Sequence, residues 1–152
     1  MIRKLKISDI EQILEVMHQE GVRGYNGQFI DSENDWFMHF FNCQSCYMFG
    51  LFEQISEKLL AVIIAETMSD NGCILWYIAV HPDYHRKGYG KKLLEFFEDY
   101  VKSDGIKWIY LTASLNSLDF YKNMGYETSK YSTVVEHVKN LIKNDNEKFN
   151  KN

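Results

Sequence analysis

The residues best placed to do chemistry are His85, Arg86, Lys87, Gly88, Tyr89, Gly90 and Lys91. They follow an uncharged run of apolar and aromatic residues, 74–80, which Pro82 closes because proline cannot donate to a strand ladder. They precede a segment with Leu93, Leu94, Phe97, Tyr100 and Val101 at helical spacing, and Gly105 stands where a C-cap glycine belongs. The pattern reads as a buried strand, a basic glycine-bearing loop and an amphipathic helix. The first turn of a helix has backbone N–H groups without intrahelical partners and lies at the positive end of the macrodipole. Gly88 and Gly90 have no Cβ, so a phosphate can approach the backbone closely. Arg86, Lys87 and Lys91 add charge. The expected ligand is a phosphate or pyrophosphate held largely by main chain, although such loops also occur with no ligand at all.

Two phosphate loops are excluded by residue type. The Walker loop needs Ser or Thr after Gly-Lys, and the dinucleotide fingerprint needs a third glycine. The stretch V-x-P-x-Y-x-x-K-G-x-G-K-x-L-L instead resembles the acetyl-CoA-binding segment of the GNAT superfamily of N-acetyltransferases, with the family's (Gln/Arg)-x-x-G-x-(Gly/Ala) falling on residues 85–90. His85 stands where Gln or Arg is usual, which leaves the loop basic and suggests some pH dependence of binding. The resemblance also implies that the pantetheine arm pairs with main chain at Ile78, Ala79 and Val80.

Residues 113–126 resemble a second GNAT segment, x-S-x-x-A-x-x-F-Y-x-x-x-G-(F/Y), with Ser117 in place of the small alanine. Tyr121 matches the family tyrosine near the cofactor sulfur. A departing thiolate needs a proton, and a phenol within reach can supply it. Alone, Tyr121 reads more readily as a core aromatic beside Phe120 than as an acid; both motifs in order favour the acid. The acceptor amine must lose a proton. Several GNAT enzymes use a Glu on the central strand, and this one has none, so Glu66 on the preceding strand is the candidate base, ahead of Asp83 in the cofactor loop.

The rest of the chain must position these groups. At 152 residues, with 45% hydrophobic and 15% aromatic residues, it can build one core. A net charge of −4 argues against a nucleic-acid binder. No run approaches a membrane span, and the basic N-terminus lacks a signal's apolar core, so a cytoplasmic location is expected. The odd count of three cysteines argues against a disulfide framework. Cys43 and Cys46 form a lone C-x-x-C without a matching second pair, and the histidines show no ligand spacing, so no metal is expected.

In order, residues 2–7 read as a strand, and Ser8 or Asp9 is expected to cap a helix with Ile10, Ile13, Leu14 and Met17 inward, ending at Gly21. Residues 22–46 are the least regular, with Asp35 opening an aromatic-rich helix. The resemblance places the acceptor pocket here. Tyr25, Phe29 and Trp36 are the candidate pocket residues, and Glu20, Asp31, Glu33 and Asp35 could attract a cationic amine or simply form a solvated acidic loop. Residues 47–53 and 59–67 read as strands, and residues 69–72 as a hairpin turn into the central strand. Residues 106–112, 114–124 and 132–138 follow as strand, short helix and strand.

The expected fold is therefore α/β (α+β): one domain over residues 1–140, with a mixed antiparallel and parallel sheet flanked by helices, the GNAT acyl-CoA N-acyltransferase fold. Residues 141–152 are expected to form a polar, frayed tail. Neighbouring strands that separate at their ends would leave a crevice for a long thin cofactor. The expected function is direct transfer of acetyl from acetyl-CoA to a primary amine of a small molecule or peptide, with neither membrane nor nucleic acid as partner. A non-catalytic acyl-CoA-binding module is the alternative. The resemblance makes a homodimer a common arrangement, and the acceptor is not identified.

Overall fold

The computed structural model describes residues 1–23, 35–128 and 136–140. Its strands are β1 (Ile2–Lys4), β2 (Cys46–Phe52), β3 (Leu59–Thr67), β4 (Gly72–Val80), β5 (Trp108–Thr112), β6 (Glu127–Thr128) and β7 (Glu136–Asn140). Its α-helices are α1 (Ile10–Gln19), α2 (Asp35–Asn42), α3 (Tyr89–Ser103) and α4 (Leu118–Asn123). The strands hydrogen-bond in the order β1-β2-β3-β4-β5-β7-β6. β1 is antiparallel to β2, β4 is parallel to β5, and β7 is antiparallel to β5 and β6. This is the expected mixed sheet with helices. No helix among the described residues is long and apolar enough to cross a membrane.

The chain divides into two compact units, one of Met1–Ala65 with Tyr77–Phe97 and the other of Glu66–Trp76 with Glu98–Asn152. In the first, β2 is covered on both faces, as its alternation requires. Met48 and Phe52 join Ile13, Val16 and Met17 of α1 and Phe37 and Phe40 of α2 in one buried cluster. On the other face, Tyr47 and Phe49 meet Phe97 and Phe96 of α3 edge-on, with ring centroids 6.1 and 5.3 Å apart. In the second unit, Cys73, Val101, Ile109, Tyr121 and Tyr126 are buried.

Several boundaries differ from expectation. β1 stops at Lys4, because residues Ile7–Asp9 turn as a 3-10 helix. Asp9 stands at the N-cap position of α1 but makes no side-chain cap hydrogen bond there, and Ser8 lies within the preceding 3-10 turn. Asp9 is itself in helical conformation, and its carboxylate turns back to accept from the Lys6 N–H at 2.7 Å and from both Arg3 Nη atoms at 2.8 and 2.9 Å. The carboxylate is thus spent on a charge-assisted pair with Arg3 and on the amide that opens the 3-10 turn, and gives no bond to the first turn of α1. Residues 114–124 split into a 3-10 turn, Leu115–Ser117, and α4. Of the expected last strand, residues 136–138 lie in β7 and 132–135 fall outside the described residues, as does the tail.

Candidate active site

The loop after β4 is built in three steps. The parallel ladder between β4 and β5 runs from Gly72 opposite Trp108 to Leu75 opposite Leu111, and β4 then continues to Val80 with no strand partner on that edge among the described residues. On its other edge the pairing persists, with His81 N–H donating to Leu60 O at 2.8 Å. Main chain at Ile78, Ala79 and Val80 therefore lies past the end of the β5 ladder. A strand edge of that kind offers amides and carbonyls to an extended ligand.

Residues Pro82–Tyr84 then make a 3-10 turn, capped by His81, whose Nδ1 accepts from the Asp83 N–H at 3.3 Å. His81 is only 2% exposed, and its Nε2 lies 3.6 Å from Glu15 of α1. His85 Nε2 contacts Glu20 and lies 2.7 Å from the Val80 carbonyl. His85 thus folds back on the strand end, and Glu20, expected as one of several acids for an amine, is occupied by this imidazole. One histidine beside a proline carries no sequence pattern, and the Glu15 partner of His81 lies far off in the chain, on α1.

Arg86 (φ +58) and Gly88 (φ +77) both adopt left-handed conformations, turning the chain into α3. A Cβ built on Gly88 would meet no atom within 4 Å, so the space above it is open. Lys92 N–H donates to the Gly88 carbonyl at 3.0 Å, which makes Gly88 the N-cap of α3. The N–H groups of Tyr89, Gly90 and Lys91 precede that first bond and have no intrahelical acceptor. Arg86, Lys87 and Lys91 are exposed. Lys87 Nζ sits 4.9 Å from the Tyr84 ring centroid, and Lys91 Nζ lies 3.8 Å from Glu95. Exposed contacts of these kinds are weak enough to yield to a phosphate. The donor set fits a pyrophosphate.

Tyr121 and Glu66 belong to the second unit. Tyr121 is buried on α4, with its ring edge-on to Phe120 and Tyr126 at 5.1 and 5.6 Å. Burial pushes its phenol up to about 12. Among the described residues no group hydrogen-bonds its hydroxyl. The Tyr126 hydroxyl, by contrast, donates to the buried Glu98 at 3.1 Å. Glu66 accepts from Trp76 Nε1 at 3.2 Å. Trp36 lies on α2, and Tyr25, Phe29, Asp31 and Glu33 fall outside the described residues.

Comparison with known proteins agrees with this architecture. The profile of the Acetyltransferase (GNAT) family matches residues 10–126. An uncharacterized acetyltransferase of Streptococcus pyogenes is 36% identical over 63 residues, which cover 40% of this chain and 43% of that protein. The match thus spans less than half the length of that curated relative. The PaiA N-acetyltransferase of Thermoplasma acidophilum, solved with coenzyme A, superposes with a TM-score of 0.73 at 21% identity, covering 92% of this chain and 98% of that one. The Escherichia coli ribosomal-protein-S18-alanine N-acetyltransferase superposes with a TM-score of 0.68 at 22% identity, covering 91% and 88%. The fold is shared with both structures, and the family profile spans most of the sequence: this chain belongs to the GNAT acetyltransferase family.

Proposed function

We propose that this protein is an acetyl-CoA-dependent N-acetyltransferase that transfers acetyl directly to a primary amine of a small molecule or peptide. The observation that carries the reading is the continuous unit of unpaired β4 edge, left-handed loop and open α3 N-terminus. When bound, acetyl-CoA supplies an activated acetyl thioester. Backbone N–H groups of Gly88, Tyr89, Gly90 and Lys91 hold the pyrophosphate, with Arg86 and Lys87 screening its charge and His85 bracing the loop through Val80. Main chain of Ile78, Ala79 and Val80 aligns the pantetheine arm, and an N–H at the strand end polarises the thioester carbonyl.

As the new C–N bond forms and the C–S bond breaks, the amine proton passes to Glu66, directly or through water. Tyr121 delivers its phenolic proton to the departing sulfur. A phenol pushed up to about 12 stays protonated at any working pH, and its hydroxyl, without a hydrogen-bond partner among the described residues, is available to a ligand. The acceptor side is assigned to Tyr25, Phe29 and Trp36 on the family resemblance. Reduced thiols at Cys43, Cys46 and Cys73 suit a cytoplasmic setting.

The test is calorimetric titration with acetyl-CoA, with ATP and NAD as controls, followed by thiol release over a panel of amines. Selective acetyl-CoA binding with amine-dependent thiol release supports the reading. No binding defeats it, and binding without acceptor-dependent turnover reduces the protein to an acyl-CoA binder.

A further inference from the structure

The turn between α2 and β2 gathers three side chains that the acetyl-transfer chemistry does not use. His39 stands on the last turn of α2, Cys43 follows four residues later, and Cys46 opens β2. Positions four apart share a helix face, which brings His39 over Cys43. The Cys46 N–H donates to the Cys43 carbonyl at 3.3 Å, closing a turn that swings the second thiol towards the first. One imidazole nitrogen and the two Sγ atoms consequently all lie within 4.8 Å of one another.

From this arrangement we propose that His39, Cys43 and Cys46 form a zinc site. Two thiolates and an imidazole are a donor set for Zn²⁺. Tetrahedral coordination at ordinary Zn–S and Zn–N lengths puts such donors roughly 3.5–3.8 Å apart, so side-chain adjustments of about 1 Å close the site. His39 is exposed and the cysteines are half-buried, so the ion has a way in. Ser45 Oγ lies 3.0 Å from Cys43 Sγ and can donate to it once that sulfur is a thiolate. Binding forms two Zn–S bonds and one Zn–N bond and expels both thiol protons to solvent. No redox partner is needed. The ion ties the end of α2 to the start of β2.

The experiment is titration of the reduced full chain with Zn²⁺ against a chromophoric chelator, with proton release followed in weak buffer and Co²⁺ absorption as a second probe. The expected result is one ion per chain, about two protons released per ion near pH 7, and a thiolate-to-Co²⁺ charge-transfer band. His39→Ala, Cys43→Ser and Cys46→Ser should each weaken binding by more than about 10-fold, the lower end of what losing mere supporting contacts costs. Circular dichroism of each variant checks that it is folded. Absence of stoichiometric binding by the reduced protein, or binding unchanged in Cys43→Ser/Cys46→Ser, overturns the proposal. Neither readout involves acetyl-CoA.

Discussion

Tyr121 and Tyr126 share one aromatic cluster, are both buried, and both have phenols pushed up by burial. They differ at the oxygen. The Tyr126 hydroxyl is spent on Glu98, whereas that of Tyr121 meets no hydrogen-bonding group among the described residues. Buried polar atoms are nearly always satisfied, so an unsatisfied one asks for an explanation. The same contrast separates Asp9, saturated by Arg3 and Lys6, from the first turn of α3, whose N–H groups have no intrahelical acceptor. Burial therefore does not distinguish a structural polar group from a functional one here. What distinguishes them is whether the protein supplies the partner or leaves it to a ligand.

The sharpest way to break that distinction is Tyr121→Phe. Loss of a positioned general acid should lower acceptor-dependent turnover by about 10²-fold or more. Unfolding free energy should stay within roughly 0.5 kcal/mol of the parent, because no protein hydrogen bond is lost. Turnover unchanged at optimal pH would remove Tyr121 from the mechanism.

Asp9→Asn should do the reverse. It removes a charge-assisted pair at a site only 6% exposed, and about 2 kcal/mol of stability should go with it while turnover per folded molecule is kept. The Arg3 hydrogen bond holds the Asp9 carboxyl below the ordinary carboxylate range. Its contribution is thus complete above the unfolded value, about 3.9, and drains away as pH falls through the depressed folded value. Denaturant unfolding between pH 7 and pH 2 should show a shallower acid decline in Asp9→Asn than in the parent. Tyr126→Phe belongs to the same class at a smaller scale. Deleting its hydroxyl leaves Glu98 short of a partner and should cost about 1.5 kcal/mol, read from chemical denaturation, with little change in acetyl-CoA affinity.

Sequence reading was strong where local chemistry decides. β3 was bounded at Leu59 and Thr67, the turn before β4 was found from Ser69, Asp70, Asn71 and Gly72, and the helix after Gly88 followed from its apolar spacing. It was weak where the partner is distant or unpatterned. Asp9 does take the N-cap position of α1, but Arg3 and the Lys6 N–H across a short turn claim its carboxylate, so the cap bond itself is not made. His85 was read as part of the basic loop, and its contact with Glu20, 65 residues away, has no sequence signal. The C-x-x-C of Cys43 and Cys46 was set aside for want of a second pair. A single histidine four residues upstream has no zinc-motif spacing in the sequence, and only the fold brings it near the two thiols. The pocket candidates rest on the family resemblance alone, since Tyr25 and Phe29 lie outside the described residues.

Gly88→Ala probes the boundary between the two classes of polar group. In the free protein an added methyl meets nothing within 4 Å, so no clash arises, but φ of +77 is left-handed and costs an L-residue roughly 1–2 kcal/mol. Part of that strain can relax, because the loop is exposed and Gly88 caps α3 with its carbonyl, not its side chain. Stability should therefore fall by about 1 kcal/mol or less. The ligand sees a different change. The methyl stands where a phosphate would approach the N–H groups of Tyr89 and Gly90, and any relaxation of φ turns those groups away. Acetyl-CoA Kd by calorimetry should rise about 10-fold, equivalent to about 1.4 kcal/mol, on top of the stability loss. If Kd is unchanged while stability falls, the open space above Gly88 is only a feature of the turn. The phosphate would then have to be held by the Arg86 and Lys87 side chains, and binding would weaken steeply with salt instead of with the glycine.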